Sequence, residues 1–120
     1  MENTEKRIRN IVLSRDFLQY YNALDECTKD KYVDSIKILE EVYVLSTKFV
    51  KRLVSTKENL YELRVSIGFN EHRSILFSAN HENIIQATEI VILTGFLKKS
   101  TKDYDKQIKR AINILNTLKL

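Results

Sequence analysis

The run "LYELRVSIGFNEHRSILFSA", Leu60 to Ala79, constrains the fold of this chain more than any other stretch. In its first half Tyr61, Leu63, Val65 and Ile67 fall on one side of an extended segment, and Glu62, Arg64 and Ser66 on the other. A period of two is a half-buried strand. "GFNE" (Gly68 to Glu71) supplies turn residues, and "HRSILFSA" returns as the second strand of a hairpin. Closing the turn between Ile67 and His72 sets Ser66 opposite Arg73 and Arg64 opposite Ile75, with both arginines on one face. A one-residue slip puts Arg73 beside Ile67 and separates the arginines. Hydrophobic alternation mildly favours the slip, which brings Ile75 and Phe77 to the side of Leu63 and Val65, and the sequence leaves both registers open.

The elements around the hairpin are punctuated without proline and with two glycines, Gly68 and Gly95, so caps and polar clusters must mark their ends. "IRNIVLS" (Ile8 to Ser14) is short and branched, which predicts a strand. Ser14 or Asp16 then caps a helix through "FLQYYNAL". Thr28 opens a second helix, "KDKYVDSIKILEEVYVL", in which Tyr32, Val33, Ile36, Leu39 and Tyr43 recur at helical spacing. "NHEN" turns the chain again, and Ile84 to Phe96 reads as one long strand whose "IVIL" is apolar on both faces, as in a central strand. "STKDYDKQIKRAINILNTLKL" is an amphipathic helix with Ile108, Ala111, Ile112, Leu115 and Leu118 as its stripe. Ser100 and Asp103 resemble a capping box at its start. The order predicts an α+β domain: an antiparallel sheet with an N-terminal helical pair and a C-terminal helix packed on it.

At 120 residues the chain is expected to form one domain, 1–120, with a core of its own and no internal linker. One cysteine, Cys27, excludes an intramolecular disulfide and suits a reducing compartment; it is expected as a partly buried helix residue. No apolar run reaches the length of roughly 18 residues that a membrane helix needs, and "MENTEKRIRN" lacks a signal-peptide core, so a soluble cytoplasmic protein is expected. Charge is segregated: residues 1–15 carry four bases and two acids, 16–47 three and seven, 48–120 thirteen and seven. The basic part points to a nucleic-acid face, against the plainer reading of lysines scattered for solubility.

His72 and His81 have no ligand-spaced partners and read as turn or surface residues, with no metal and no cofactor implied. There is no Ser-His-Asp signature and no phosphate-cradling glycine loop, which removes the usual hydrolase and NTPase readings. Cations remain. Lys98, Lys99 and Lys102 crowd the junction of two buried elements, "TGFLKKSTKDYDKQIK", with Tyr104 just beyond. Taken singly, Arg64 reads as a salt-bridge partner, for instance of Glu62, and the lysines as a solvated loop. Together with Arg73 and a helix N-terminus they suit a phosphodiester. Arginine binds phosphate bidentately and stabilises charge added to it. A lysine among cations gives up its proton more readily, and a tyrosine there can stack on a base or, with its acidity raised, transfer a proton.

"LYELRVSIGFNEHRSILF" followed by "ILTGFLKKSTKDYDKQIKRAINIL" resembles the RelE/ParE toxin superfamily, in its HigB-like branch. The likeness covers Phe49 to Leu118, with "FVKRL" fitting it and "RDFLQYYNAL" fitting more weakly. It implies a RelE-like fold and the toxin of a type II toxin–antitoxin pair: a metal-independent endoribonuclease that cuts mRNA in the ribosomal A site and so inhibits translation. The implied partners are the ribosome, its mRNA and a cognate antitoxin, a helix-turn-helix protein from a neighbouring gene; no membrane is implied. By position, Arg64 and Arg73 would hold the scissile phosphate, Lys98 or Lys99 would protonate the leaving oxygen, and Tyr104 would stack or help activate the nucleophile. Lys51, Arg52 and Lys102 would add phosphate contacts.

The chain departs from the pattern in three places. Thr94 stands where many relatives have histidine before the G-F pair. No proline opens the last helix. Glu62 replaces a lysine of some RelE members, which makes the cleft less basic. Two other readings stand beside the nuclease: a ParE-like toxin that binds and inhibits DNA gyrase, and a degenerate toxin kept as a binding module. The acidic segment 16–47 is expected to lie away from RNA or to contact the antitoxin.

Overall fold

Two helices lie on one face of a six-stranded sheet and a third lies on the other. The computed structural model describes residues 7–54 and 56–118. In chain order the elements are β1 (Asn10–Leu13), α1 (Arg15–Asn22), α2 (Glu26–Glu41), β2 (Val50–Arg52), β3 (Leu60–Ile67), β4 (Asn70–Ser78), β5 (Glu89–Ile92), β6 (Phe96–Leu97) and α3 (Thr101–Leu118). The sheet runs β1-β5-β4-β3-β2, and β6 pairs with β4 beyond the end of β5. All pairs are antiparallel except β1 with β5, so the antiparallel sheet carries one parallel edge strand.

The caps explain where the helices begin. Ser14, in extended conformation, accepts from the Phe17 N–H and donates its own hydroxyl to the Leu93 carbonyl, tying the start of α1 to the sheet. Asp25 caps α2 by accepting from Thr28, so that helix starts ahead of the expected Thr28. It also ends early. Val42 is extended, and the helix has no basic residue in its last turn. Arg9 supplies the missing cation from β1's leading edge. It is 1 % exposed, and its guanidinium donates to the carbonyls of Leu39, Val42, Tyr43, Ile84 and Ile85. A cation on those carbonyls complements the negative end of the helix dipole. Val42, Tyr43 and Val44, expected inside the helix, are exposed instead. Cys27 is likewise exposed on α2 rather than partly buried.

The expected strand from Ile84 to Phe96 is split. Residues 84–87 form turns, with the Ala87 N–H on the carbonyls of Asn83 and Ile84. Pairing starts at Glu89 and fails at Thr94, whose side-chain oxygen takes the Ile75 N–H in place of a backbone acceptor. The chain resumes as β6 after Gly95, where any Cβ would collide with the Tyr20 ring. β2 and β6 are too short to show a period and were not expected.

One apolar cluster fills each side of the sheet. Phe17, Tyr32 and Leu39 pack on Tyr61, Leu63, Val65, Leu76, Ile90 and Ile92; Ile108, Ala111 and Leu115 pack on Leu60, Ile75, Val91 and Leu93. "IVIL" thus faces both ways, as a central strand must. Leu118 of the expected α3 stripe is exposed. On the α3 face, β3 reads Leu60, Glu62, Arg64, Ser66 and β4 reads Phe77, Ile75, Arg73, Glu71. The helix covers the apolar end and leaves the charged end open.

Candidate active site

The β3–β4 register is neither of the two read from sequence. Ile67 pairs with Asn70, leaving Gly68 and Phe69 as a two-residue turn, and Arg64 stands directly opposite Arg73. Gly68 has φ +56°, the left-handed conformation that the first central position of a primed hairpin turn requires. The turn geometry therefore decides the register, and it places both arginines on the α3 face.

Like charges directly opposite each other destabilise a sheet. Glu62, 4 % exposed, resolves the conflict. Its Oε1 lies 3.0 Å from the Arg64 Nε, its Oε2 lies 3.3 Å from the Arg73 Nε, and the Tyr104 hydroxyl donates to Oε2 at 2.6 Å. The Arg73 contact is an ion pair without hydrogen-bond geometry at Nε. Arg73 is anchored further by Nη1, which donates to Glu71 and to the His72 carbonyl, and Ser66 donates to the same Glu71 oxygen.

The cluster sets its own protonation. Burial opposes the Glu62 charge, but hydrogen bonds from Tyr104 and Arg64 and the two nearby guanidiniums outweigh it and hold the carboxyl below its usual range. Burial, then the bond to Glu62 and its charge, push the Tyr104 phenol up. That overturns the expectation of a tyrosine made more acidic by cations: the nearest charge to its hydroxyl is an anion. Glu71 is held low by Ser66 and Arg73.

Two clefts open beside the cluster. One, of about 320 Å³, is lined by Lys51, Arg52, Glu62, Arg64, Lys98 and Tyr104 among others. The other, of about 470 Å³, lies towards α2 and includes Lys31, Lys48, Phe49, Arg64 and Arg73. Lys98 follows β6, and its N–H donates to the Glu71 carbonyl, which fixes where its side chain departs. Tyr104 sits in the first turn of α3, where Ser100 accepts from the Asp103 N–H as its cap, and its ring packs on Phe96. Lys51 pairs with Glu62 across β2–β3 and so shares the site face. Arg52 does not: its guanidinium sits over the Tyr61 ring and donates to the Glu82 carbonyl. Lys99 and Lys102 are exposed at the entry to α3 and line neither cleft.

Residues 19–116 match the family model described as "Phage derived protein Gp49-like", a RelE/HigB-type toxin family. The chain belongs to this Gp49-like family. Its fold is that of RelE: the structure of an E. coli RelE toxin, a double Arg-to-Ala mutant in the free state, superposes with a TM-score of 0.60. The two are 9 % identical, over 86 % of this chain and 97 % of that one. No curated protein matches the sequence. The family supports a toxin function, and a toxin implies an antitoxin partner. No helix among the described residues is long and apolar enough to cross a membrane.

In this Gp49-like chain two polar residues near the arginines belong to the core, not to the cleft. His72, expected at a turn or surface, is buried on the helical face, where its Nδ1 meets the Tyr20 hydroxyl at 2.5 Å. Burial lowers its pKa, which favours the neutral ring, and pushes Tyr20 up to about 12, so the two meet as neutral groups. Thr94, just before the Gly95–Phe96 pair, is fully buried against the Ile75 N–H. Glu62 reads from sequence as a lost cation and as a salt-bridge partner of Arg64; the ion pair forms, and its sharing with Arg73 and Tyr104 is what the sequence did not show. The alternation of Glu62 with Arg64 on one strand face was the available signal that the two pair.

Proposed function

We propose that this chain is a toxin that cuts mRNA on the ribosome, with no metal, by attack of a ribose 2′-hydroxyl on the adjacent phosphate. The 2′-hydroxyl proton passes to solvent water as the P–O2′ bond forms, the P–O5′ bond breaks, and a cyclic phosphate and a 5′-hydroxyl remain. The observation that carries the reading is the convergence of Arg64, Lys98 and Tyr104 on one cleft, with Lys51 beside them and Arg73 behind. Arg64 and Arg73 bind the scissile phosphate and offset the charge it gains in the transition state. Lys98 gives a proton to the departing O5′. Tyr104, held protonated by Glu62, positions the substrate through its ring and hydroxyl and does not take a proton. Glu62 is a positioning residue: it grips both arginines by Nε.

No strong base stands in the cluster, since Glu62 is kept ionised by its donors. Alignment of the 2′-hydroxyl by the ribosome then supplies what the protein lacks, and free RNA is cut poorly. The test is brief induction in cells followed by primer extension on a translated message and an untranslated control, with Lys98→Ala and Arg64→Ala variants. Cuts confined to the translated message and lost in both variants are expected. Growth arrest with intact messages would refute the nuclease and move gyrase binding forward; neither arrest nor cuts would leave a binding module.

A further inference from the structure

Among the described residues, Arg64 is the one that lines both clefts. Its side chain is 32 % exposed and is held to Glu62 through Nε, which leaves its terminal nitrogens as the wall between the two spaces. Both clefts gather cations against two carboxylates: Lys31, Lys48, Arg64 and Arg73 against Asp34 and Glu71 in one, Lys51, Arg64 and Lys98 against Glu62 and Asp105 in the other, where Arg52 lines the wall but turns its guanidinium to Tyr61. Both volumes, about 470 and about 320 Å³, lie in the range of roughly 300–1,000 Å³ of small-ligand sites.

The larger cleft exists because the sheet edge is left open there. β2 begins at Val50, and the last edge bond is from the Arg64 N–H to the Phe49 carbonyl. Strand alternation puts the Ser66 N–H on that same outer edge, where no described strand lies beside it. The gap is floored by Arg64, Ser66 and Arg73 and walled by α2, with the half-buried Phe49 ring at its mouth. A cationic floor, an unpaired edge N–H and an aromatic face are what a nucleotide uses: phosphate to the first two, base to the third.

Resting on the nuclease reading, we infer that RNA lies across Arg64 with one nucleotide in each cleft, the α2-side nucleotide stacking its base on Phe49 and setting its next phosphate between Lys31 and Lys48. The acidic segment 16–47 then does not turn wholly away from RNA, because α2 contributes Lys31 to the second subsite.

The probe is a dinucleotide that carries a terminal phosphate besides its bridging one, in its 5′- and 3′-phosphorylated forms, with a 2′-O-methyl group that blocks cleavage; it is titrated into 15N-labelled protein beside a mononucleotide control. Amide shifts are expected in one titration at Ser35, Lys48 and Phe49 and at Val54 and Lys98, with the mononucleotide moving one set only. Phe49→Leu, which keeps apolar packing but removes the ring, should weaken dinucleotide binding about tenfold, as loss of one base stack does; Lys48→Gln should weaken it less. Shifts confined to one cleft, no shift at millimolar dinucleotide, or unchanged affinity in Phe49→Leu would each overturn the inference. Shifts spanning both clefts with no cuts by the unmodified protein in cells would uphold the two-cleft site and refute the nuclease.

Discussion

Replacing Glu62 by glutamine tests the centre of the site. The change keeps shape and removes the anion that Arg64, Arg73 and Tyr104 share. The Gln amide can accept from only one of them through its oxygen and must turn its NH2 towards another. Removing one partner of a buried ion pair costs about 3–5 kcal/mol, because the remaining charge stays out of water. Arg73 is 7 % exposed and carries most of that penalty, offset in part by its remaining ion pair with Glu71, which holds it to the lower end of the range. Arg64 is 32 % exposed, so solvent screens its share towards the 0–1 kcal/mol typical of surface pairs. The lost charge-assisted bond from Tyr104 adds to the cost, and coupling within the cluster keeps the sum well short of additive. The expected loss is about 3–4 kcal/mol. With a urea m-value of about 1.5 kcal/mol/M, the midpoint falls by about 2 M. Urea unfolding at pH 7, followed by far-UV circular dichroism, reads this directly. Tyr104→Phe should cost about 1–2 kcal/mol alone and close to nothing in the Glu62→Gln background. A loss under about 1 kcal/mol for Glu62→Gln, or additivity of the two changes, would refute the argument that Glu62 organises the arginines.

Arg9→Met should be the more damaging core substitution, by about 3–5 kcal/mol, since it strips five carbonyls of their donor; a melting curve within a few degrees of the unmodified protein would contradict it. His72 gives a pH signature. Its folded pKa is lowered, so below the ordinary value of about 6.5 the unfolded chain takes the proton first and stability falls as pH drops from 7 to 5. Urea midpoints at the two pH values should differ less in His72→Gln. Gly95→Ala should destabilise by about 1–3 kcal/mol through overpacking against Tyr20, a cost that Tyr20→Ala added to the same chain should largely relieve in thermal unfolding.

Sequence alone reached the elements whose signals are local. The α3 stripe shows a helical period over many turns, and Ser100 announces its cap within a few residues. β3 alternates without interruption, so its two faces were legible. What stayed hidden depends on approach from far along the chain. Arg9 looks like any charged residue near an N-terminus, because its partners are backbone carbonyls as much as 76 residues away that carry no sequence mark. Tyr104 reaches Glu62 across 42 residues, so the direction of its pKa shift was invisible until the anion beside it was placed. The split of the strand after Ile92 turns on Thr94 substituting a side-chain oxygen for a carbonyl and on Gly95 admitting the Tyr20 ring, neither of which a hydropathy pattern records.

The hairpin register and the identity of residue 62 are one problem. Both registers read from sequence assumed a wider turn and kept Arg64 and Arg73 apart along or across the sheet. The two-residue turn at Gly68 brings them face to face, an arrangement that costs energy by itself. A lysine at residue 62 would put a third cation on the same strand face, two residues from Arg64, and the cluster would have to open towards water. A glutamate there turns the repulsive pair into a bridged one and holds both guanidiniums by Nε, leaving the outer nitrogens of Arg64 for a ligand while the Arg73 Nη1 stays on Glu71 and the His72 carbonyl. The residue that first reads as a loss of cleft charge is thus what permits two arginines to be held together in so little space. The crowding of Lys98 beside them follows the same logic, because β6 delivers it at the open end of a strand pair already neutralised from within.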